Sequence, residues 1–143
     1  MEANWPIAFG MPTAFELADH PANDLLRRIR KGLPAATLDQ VAASLGIPKG
    51  ILAAKLRIAK RTLSRKQSER RALSAEESEK VLRVARIRNG ARTLFRTDEA
   101  VADWMGKADP ALDGAAPLDL LDTEIGARQV EDLIQSLAHG QFV

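Results

Sequence analysis

Between residues 57 and 67 the chain reads RIAKRTLSRKQ, five basic side chains with no acid among them. Ammonium and guanidinium groups at that density bind phosphate, and a guanidinium also pairs bidentately with guanine in a DNA groove. Thr62 and Ser64 add hydroxyls that can bond a phosphate or a base edge. The competing use of such a run is a solvated helix face, its long stems lying along apolar surface with their charges in water. Catalysis has less to draw on. Cys is absent, which excludes disulfides, thiol nucleophiles and Cys-ligated zinc, and His20 and His139 are the only histidines. No HExxH, glycine-rich phosphate loop or GxSxG occurs. The carboxylates at 76, 77 and 79, and at 131 and 132, read as caps or solvated charges. The expectation is a binding protein, not an enzyme, with neither cofactor nor metal.

Charge is distributed unevenly. A net +2 conceals −1 over residues 1–48, +11 over 49–96 and −8 over 97–143. Two surfaces of opposite sign are expected, one meeting a polyanion and the other a different partner. A membrane is the weaker polyanion, because the basic segments lack bulky aromatic faces. RNA is disfavoured too, since residues 49–94 contain no aromatic platform for stacked bases. The opening MEANWPIAFGMPTAFELADHP has no signal-peptide form, and no apolar run of about 18 residues could span a bilayer. The expected location is the cytoplasm.

The elements that must position these charges are helices. Ala and Leu abound, aromatics are few and Tyr is absent, so the expected fold is all-α. Residues 1–21 show no clear period and read as an arm that packs on the body or lies loose, with Trp5, Ile7, Phe9 and Phe15 as anchors. ANDLLRRIRKG reads as a short helix stopped at Gly32. Thr37-Leu-Asp-Gln40 has capping-box form ahead of Val41, Ala42 and Leu45, and Pro48 suits the start of the next helix. Ser74-Ala-Glu-Glu77 is a second capping box, opening a long pattern through Val81, Val84, Ala85, Ile87, Ala91, Leu94 and Phe95, with Asn89-Gly90 as a break or close-contact point. A helix near Glu99–Met105, a Pro/Gly loop, a short helix from Pro117 and a last helix ending at Gly140 complete the chain. The expected division is an arm over 1–21, a helix-turn-helix domain over 22–73, a connecting and dimerisation helix over 74–96, and an acidic module over 97–143.

A helix-turn-helix needs a small residue in its first helix, a tight turn, and an apolar residue facing inward from its second. Ala42, Gly46 and Leu52 meet these demands, and so do Ala53, Arg57 and Leu63. The pattern does not separate the two registers. Chemistry favours the second, whose later helix offers Lys60, Arg61, Thr62, Ser64, Arg65 and Lys66 to phosphates and bases, with Arg70, Arg71, Arg83, Arg86, Arg88 and Arg92 further on. Arg57 stands where many such turns have Gly. One short reading helix reads one half-site, so a homodimer is expected, with the apolar excess of the long helix as its motive.

Residues 97–143 carry ten acids against two bases, which repel phosphate and favour a basic protein partner. Within them Trp104, Leu118, Leu121, Val130, Leu133 and Leu137 compete between core and interface, and Gly114 and Gly126 read as backbone requirements. His139 is favourable at a helix C-terminus.

RTLSR, LSAEESEKVLRVARI, Ala91, EAVADWM, PALDGAAPLDLLDTEIGARQVEDLI and HGQF together resemble the Xre/MbcA/ParS family of antitoxins, over about residues 49–143. Ala59 replaces the usual Ser, and Lys80 stands where Arg is frequent. The resemblance implies an N-terminal helix-turn-helix domain that binds the operator DNA of its own promoter. It also implies a small helical C-terminal domain that neutralises a RES-domain toxin acting on NAD. The expected toxin contacts are Val130, Leu133, Ile134, Leu137, His139, Gly140, Gln141, Phe142 and Val143, with Phe142 as anchor and the Val143 carboxylate replacing a phosphate. A stand-alone phage-type repressor whose C-terminal half dimerises is the alternative; an inhibitor whose basic half is plain surface also survives.

Overall fold

The computed structural model describes residues 13–140, and over these the chain is helical. Its helices are α1 (Ala14–Ala18), α2 (Ala22–Lys31), α3 (Ala36–Ser44), α4 (Lys49–Lys55), α5 (Lys60–Ser68), α6 (Ala75–Arg92), α7 (Asp98–Met105) and α8 (Glu124–Ala138). Two 3-10 turns, Pro110–Leu112 and Pro117–Leu120, lie between α7 and α8. Extended backbone among the described residues amounts to one bridge between Pro34 and Ala72.

Helix α6 is the axis of the molecule, with α1, α2, α3, α7 and α8 packed around it. The run Val81–Leu82–Arg83–Val84–Ala85 is buried without interruption, which places the helix inside the protein rather than on its surface. The apolar residues that motivated a dimer helix are therefore covered by the chain itself. The helix opens with the expected capping box: Ser74 Oγ accepts from Glu77 N, and the Glu77 carboxylate accepts from Ser74 N. Asn89-Gly90 does not break it. Asn89 donates to the Phe15 carbonyl, and Gly90 brings α6 against Ile134 of α8.

Two expectations fail locally. The arm over 1–21 was expected to have no helix, yet Thr13 and Glu16 form a capping box; of its two readings, packed or loose, the packed one describes α1, which docks on α6 through buried Ala14 and Leu17. Phe15 lies 4.2 Å beneath the Arg88 guanidinium, a cation–π contact. Trp5, Ile7 and Phe9 lie outside the described residues. Thr37-Leu-Asp-Gln40 is not a capping box: α3 begins two residues earlier than a Thr37 cap would start it, with Ala35 as an N-cap that has no side-chain bond, Thr37 is buried, and Gln40 accepts from Ala14 N.

Gly114 has the positive φ expected of it, 85°. Gly126 instead is helical, and its need is space, since a Cβ there would fall 1.9 Å from the Leu120 carbonyl oxygen.

Candidate nucleic-acid interface and acidic domain

Both helix-turn-helix registers exist in three dimensions, with α4 shared between them. After α3, Gly46 takes φ 67° and Ile47 N donates to the Ala42 carbonyl. After α4, Arg57 takes φ 60° and Ile58 N donates to the Ala53 carbonyl. The two turns are the same turn. Ala42, Leu52, Ala53 and Leu63 are all buried, as the pattern requires. Gly46 holds the left-handed conformation without penalty, whereas a side chain there costs Arg57 about 1 kcal/mol.

The surfaces of the two second helices differ. On α4 the cations are engaged: Lys49 donates to Gln67 and Lys55 to Asp119. On α5, Lys60, Arg61, Ser64, Arg65 and Ser68 are exposed while Leu63 is the buried anchor. Among the described residues no ion pair engages Lys60, Arg61 or Arg65. Thr62 is half-buried. Lys66 was expected to face DNA, but it turns inward to the Glu77 carboxylate at 2.8 Å with 13% of its side chain exposed. Burial would raise the Glu77 carboxyl, but the bonds from Lys66 and Ser74 overcome this and hold it below the usual carboxylate range. Gln67 donates to Asp39, tying α5 back to α3.

The arginines of α6 do not extend the cationic surface of α5. Arg83, only 7% exposed, donates to the Leu121 carbonyl at 3.0 Å and lies 3.3 Å from the Glu124 carboxylate. Arg86 bonds Glu131 at 3.0 Å and also reaches Glu124, and Arg88 and Arg92 both pair with Asp98. Arg71 pairs with Glu69 on its own side. Lys55 and Arg57 are held by Asp119 and Asp122. The expected separation into two oppositely charged surfaces is thus partly closed within the molecule. Asp98, Asp119, Asp122, Glu124 and Glu131 of the acidic module each face a base of the basic segment.

Of the residues expected to meet a partner, Val130 (0% exposed) and Ile134 (4%) fill the core, so a second protein cannot reach them in this arrangement. Leu133 and Leu137 are half-buried, His139 and Gly140 exposed, and Gln141, Phe142 and Val143 lie outside the described residues. Leu118 and Leu121 are core, and Trp104 is half-buried against Phe95 with ring centroids 5.5 Å apart. Ile125, 75% exposed in the first turn of α8, was missed. It falls off the apolar stripe of its own helix, which was the available signal. His20 bonds Asp24, and His139 Nδ1 faces the Gln135 carbonyl.

A helix-turn-helix protein whose basic core helix also carries an acidic helical second domain is the class that fold and surface define. The chain belongs to the Xre/MbcA/ParS antitoxins. The Antitoxin Xre-like helix-turn-helix domain matches residues 24–86, and the Antitoxin Xre/MbcA/ParS C-terminal toxin-binding domain matches residues 90–140. The junction between the two matches falls inside α6. The Antitoxin Xre of Yersinia enterocolitica serotype O:8 / biotype 1B is 34% identical over 119 residues, covering 82% of this chain and 80% of the relative. The Antitoxin Xre of Photorhabdus laumondii subsp. laumondii is 32% identical over 78% of this chain and 76% of its own. The Prs ADP-ribosylating antitoxin of Sphingobium sp. (strain YBL2) is 29% identical over 83% of this chain and 80% of its own.

Proposed function

We propose that this antitoxin neutralises a RES-domain toxin that consumes NAD, and represses its own operon by reading promoter DNA with α5, braced by α4. The observation that carries the DNA assignment is that Lys60, Arg61 and Arg65 project from α5 with no ion partner among the described residues, while the arginines of α6 are held by carboxylates. Lys60, Arg61, Ser64 and Arg65 meet phosphates and base edges, with Thr62 at the margin; Lys66 instead fixes the helix to α6. A pair of chains reads two half-sites, through a surface other than the covered faces of α6. Toxin contact falls to Leu133, Leu137, His139, Gly140, Gln141, Phe142 and Val143, joined by Ile125. The name of the Sphingobium relative supports the NAD chemistry, because ADP-ribosylation takes its ADP-ribose from NAD.

Promoter binding measured against salt tests the DNA half. A phosphate-binding surface loses affinity steeply with salt, and Arg61→Ala or Arg65→Ala should each weaken binding about tenfold or more. Affinity unchanged in both variants would refute α5 as the reader. For the toxin half, deletion of residues 136–143 should release the activity of a co-expressed toxin from the neighbouring reading frame. Unchanged neutralisation would refute that placement.

A further inference from the structure

Two cations beside the reading helix are gripped by the toxin-binding domain. Arg57 lies three residues ahead of Lys60, in the turn between α4 and α5, and its Nε donates to Asp122 Oδ2 at 2.9 Å. Its side chain is 78% exposed, while that of Asp122 is 19% exposed. Lys55, in the last turn of α4, bonds Asp119 in the Pro117–Leu120 turn. Both acids fall within the segment matched by the toxin-binding domain.

In a helix-turn-helix the N-terminal residues of the second helix enter the major groove, so the turn just before it lies beside the DNA backbone. Arg57 therefore stands where a phosphate would approach, with a carboxylate already on it. Exposed ion pairs of this kind are weak and readily exchanged.

We propose that Asp119 and Asp122 are an intramolecular brake on DNA binding, occupying Lys55 and Arg57 in place of two backbone phosphates. The inference rests on α5 being the reading helix. A basic protein surface that took these carboxylates would leave both cations to DNA and tighten promoter binding, which gives the toxin-binding domain a direct line to the reading turn.

The test uses the full chain with Asp119→Asn and Asp122→Asn combined, titrated with promoter DNA across a range of salt. Binding should tighten roughly three- to tenfold at low salt, and the dependence of log affinity on log salt should steepen by about 0.9 for each phosphate gained. Adding Lys55→Gln and Arg57→Gln to the same chain should remove the gain, a coupling that a mutant cycle isolates. A gain that survives without Lys55 and Arg57 would show general repulsion of DNA by the acids and overturn the brake. So would unchanged affinity in the asparagine variant while Arg61→Ala still abolishes binding. If Arg61→Ala and Arg65→Ala also leave binding intact, the reading-helix assignment falls and the brake falls with it. Thermal unfolding confirms that each variant folds, and the single Asp119→Asn, at a half-exposed site, carries the same comparison if the double variant melts early.

Discussion

Helices α5 and α6 are both rich in cations, but their charges end in opposite circumstances. On α5, Lys60, Arg61 and Arg65 face solvent, and only Lys66 turns inward to Glu77. On α6, Arg83, Arg86, Arg88 and Arg92 are all held by carboxylates of the C-terminal domain. One helix lies at the rim of the fold and the other runs through its centre. A cation on the axis meets whatever packs on that axis, and here the C-terminal domain supplies acids at the right heights. A run of arginine thus signals a polyanion partner only where nothing in the chain lies opposite.

The largest effect expected from disturbing this contrast comes from Gly126→Ala. The added Cβ would collide with the Leu120 backbone, push α8 off its seat and carry Glu124 and Glu131 away from α6. Stability should fall by about 3 kcal/mol or more, read by thermal or denaturant unfolding. Next comes Arg83→Ala, which orphans the Leu121 carbonyl and leaves a void in the core, at about 2 kcal/mol. Arg65→Ala on α5 should stay within about 0.5 kcal/mol of the parent in the same measurement. If the two arginines proved equal in stability, the contrast between the helices would be lost.

A smaller difference is expected in DNA binding. Arg61→Ala should lower the salt slope by about one phosphate equivalent, whereas Arg86→Ala should leave the slope alone. The smallest effect concerns the contact where the two helices touch. Glu77 is held below the usual carboxylate range by Lys66 and Ser74 against the opposing push of burial. Its contribution is fully present above the ordinary carboxylate range and is lost as pH falls through its depressed value. Unfolding followed from neutral pH downward should show that loss in the parent and a flatter profile in Glu77→Gln.

Local signals in the sequence were legible where a few adjacent residues settle the matter. Gly32 ends α2, Ser74 and Glu77 open α6, and Ala53, Arg57 and Leu63 form a turn between two helices as their spacing requires. Thr13 and Glu16 carried the same signal as Ser74 and Glu77 and were passed over, because the helix they cap is only one turn long. Thr37 and Gln40 carried it falsely, because Thr37 is buried inside α3 and the Gln40 side chain is taken by Ala14 N. Val130 and Ile134 fitted equally a partner-facing stripe and a core-facing one, and periodicity cannot say which way a stripe faces.

The all-α class, the ends of α2 and the start of α6, and the two candidate helix-turn-helix turns were legible in the sequence alone, since bonds spanning three to five residues create them. Which cations remain free was decided only by the tertiary structure. The partners of Lys55, Arg57 and Arg86 lie 64, 65 and 45 residues away, so pairing depends on how the domains pack. A charge is strong chemistry only until a fold brings its counterion within reach.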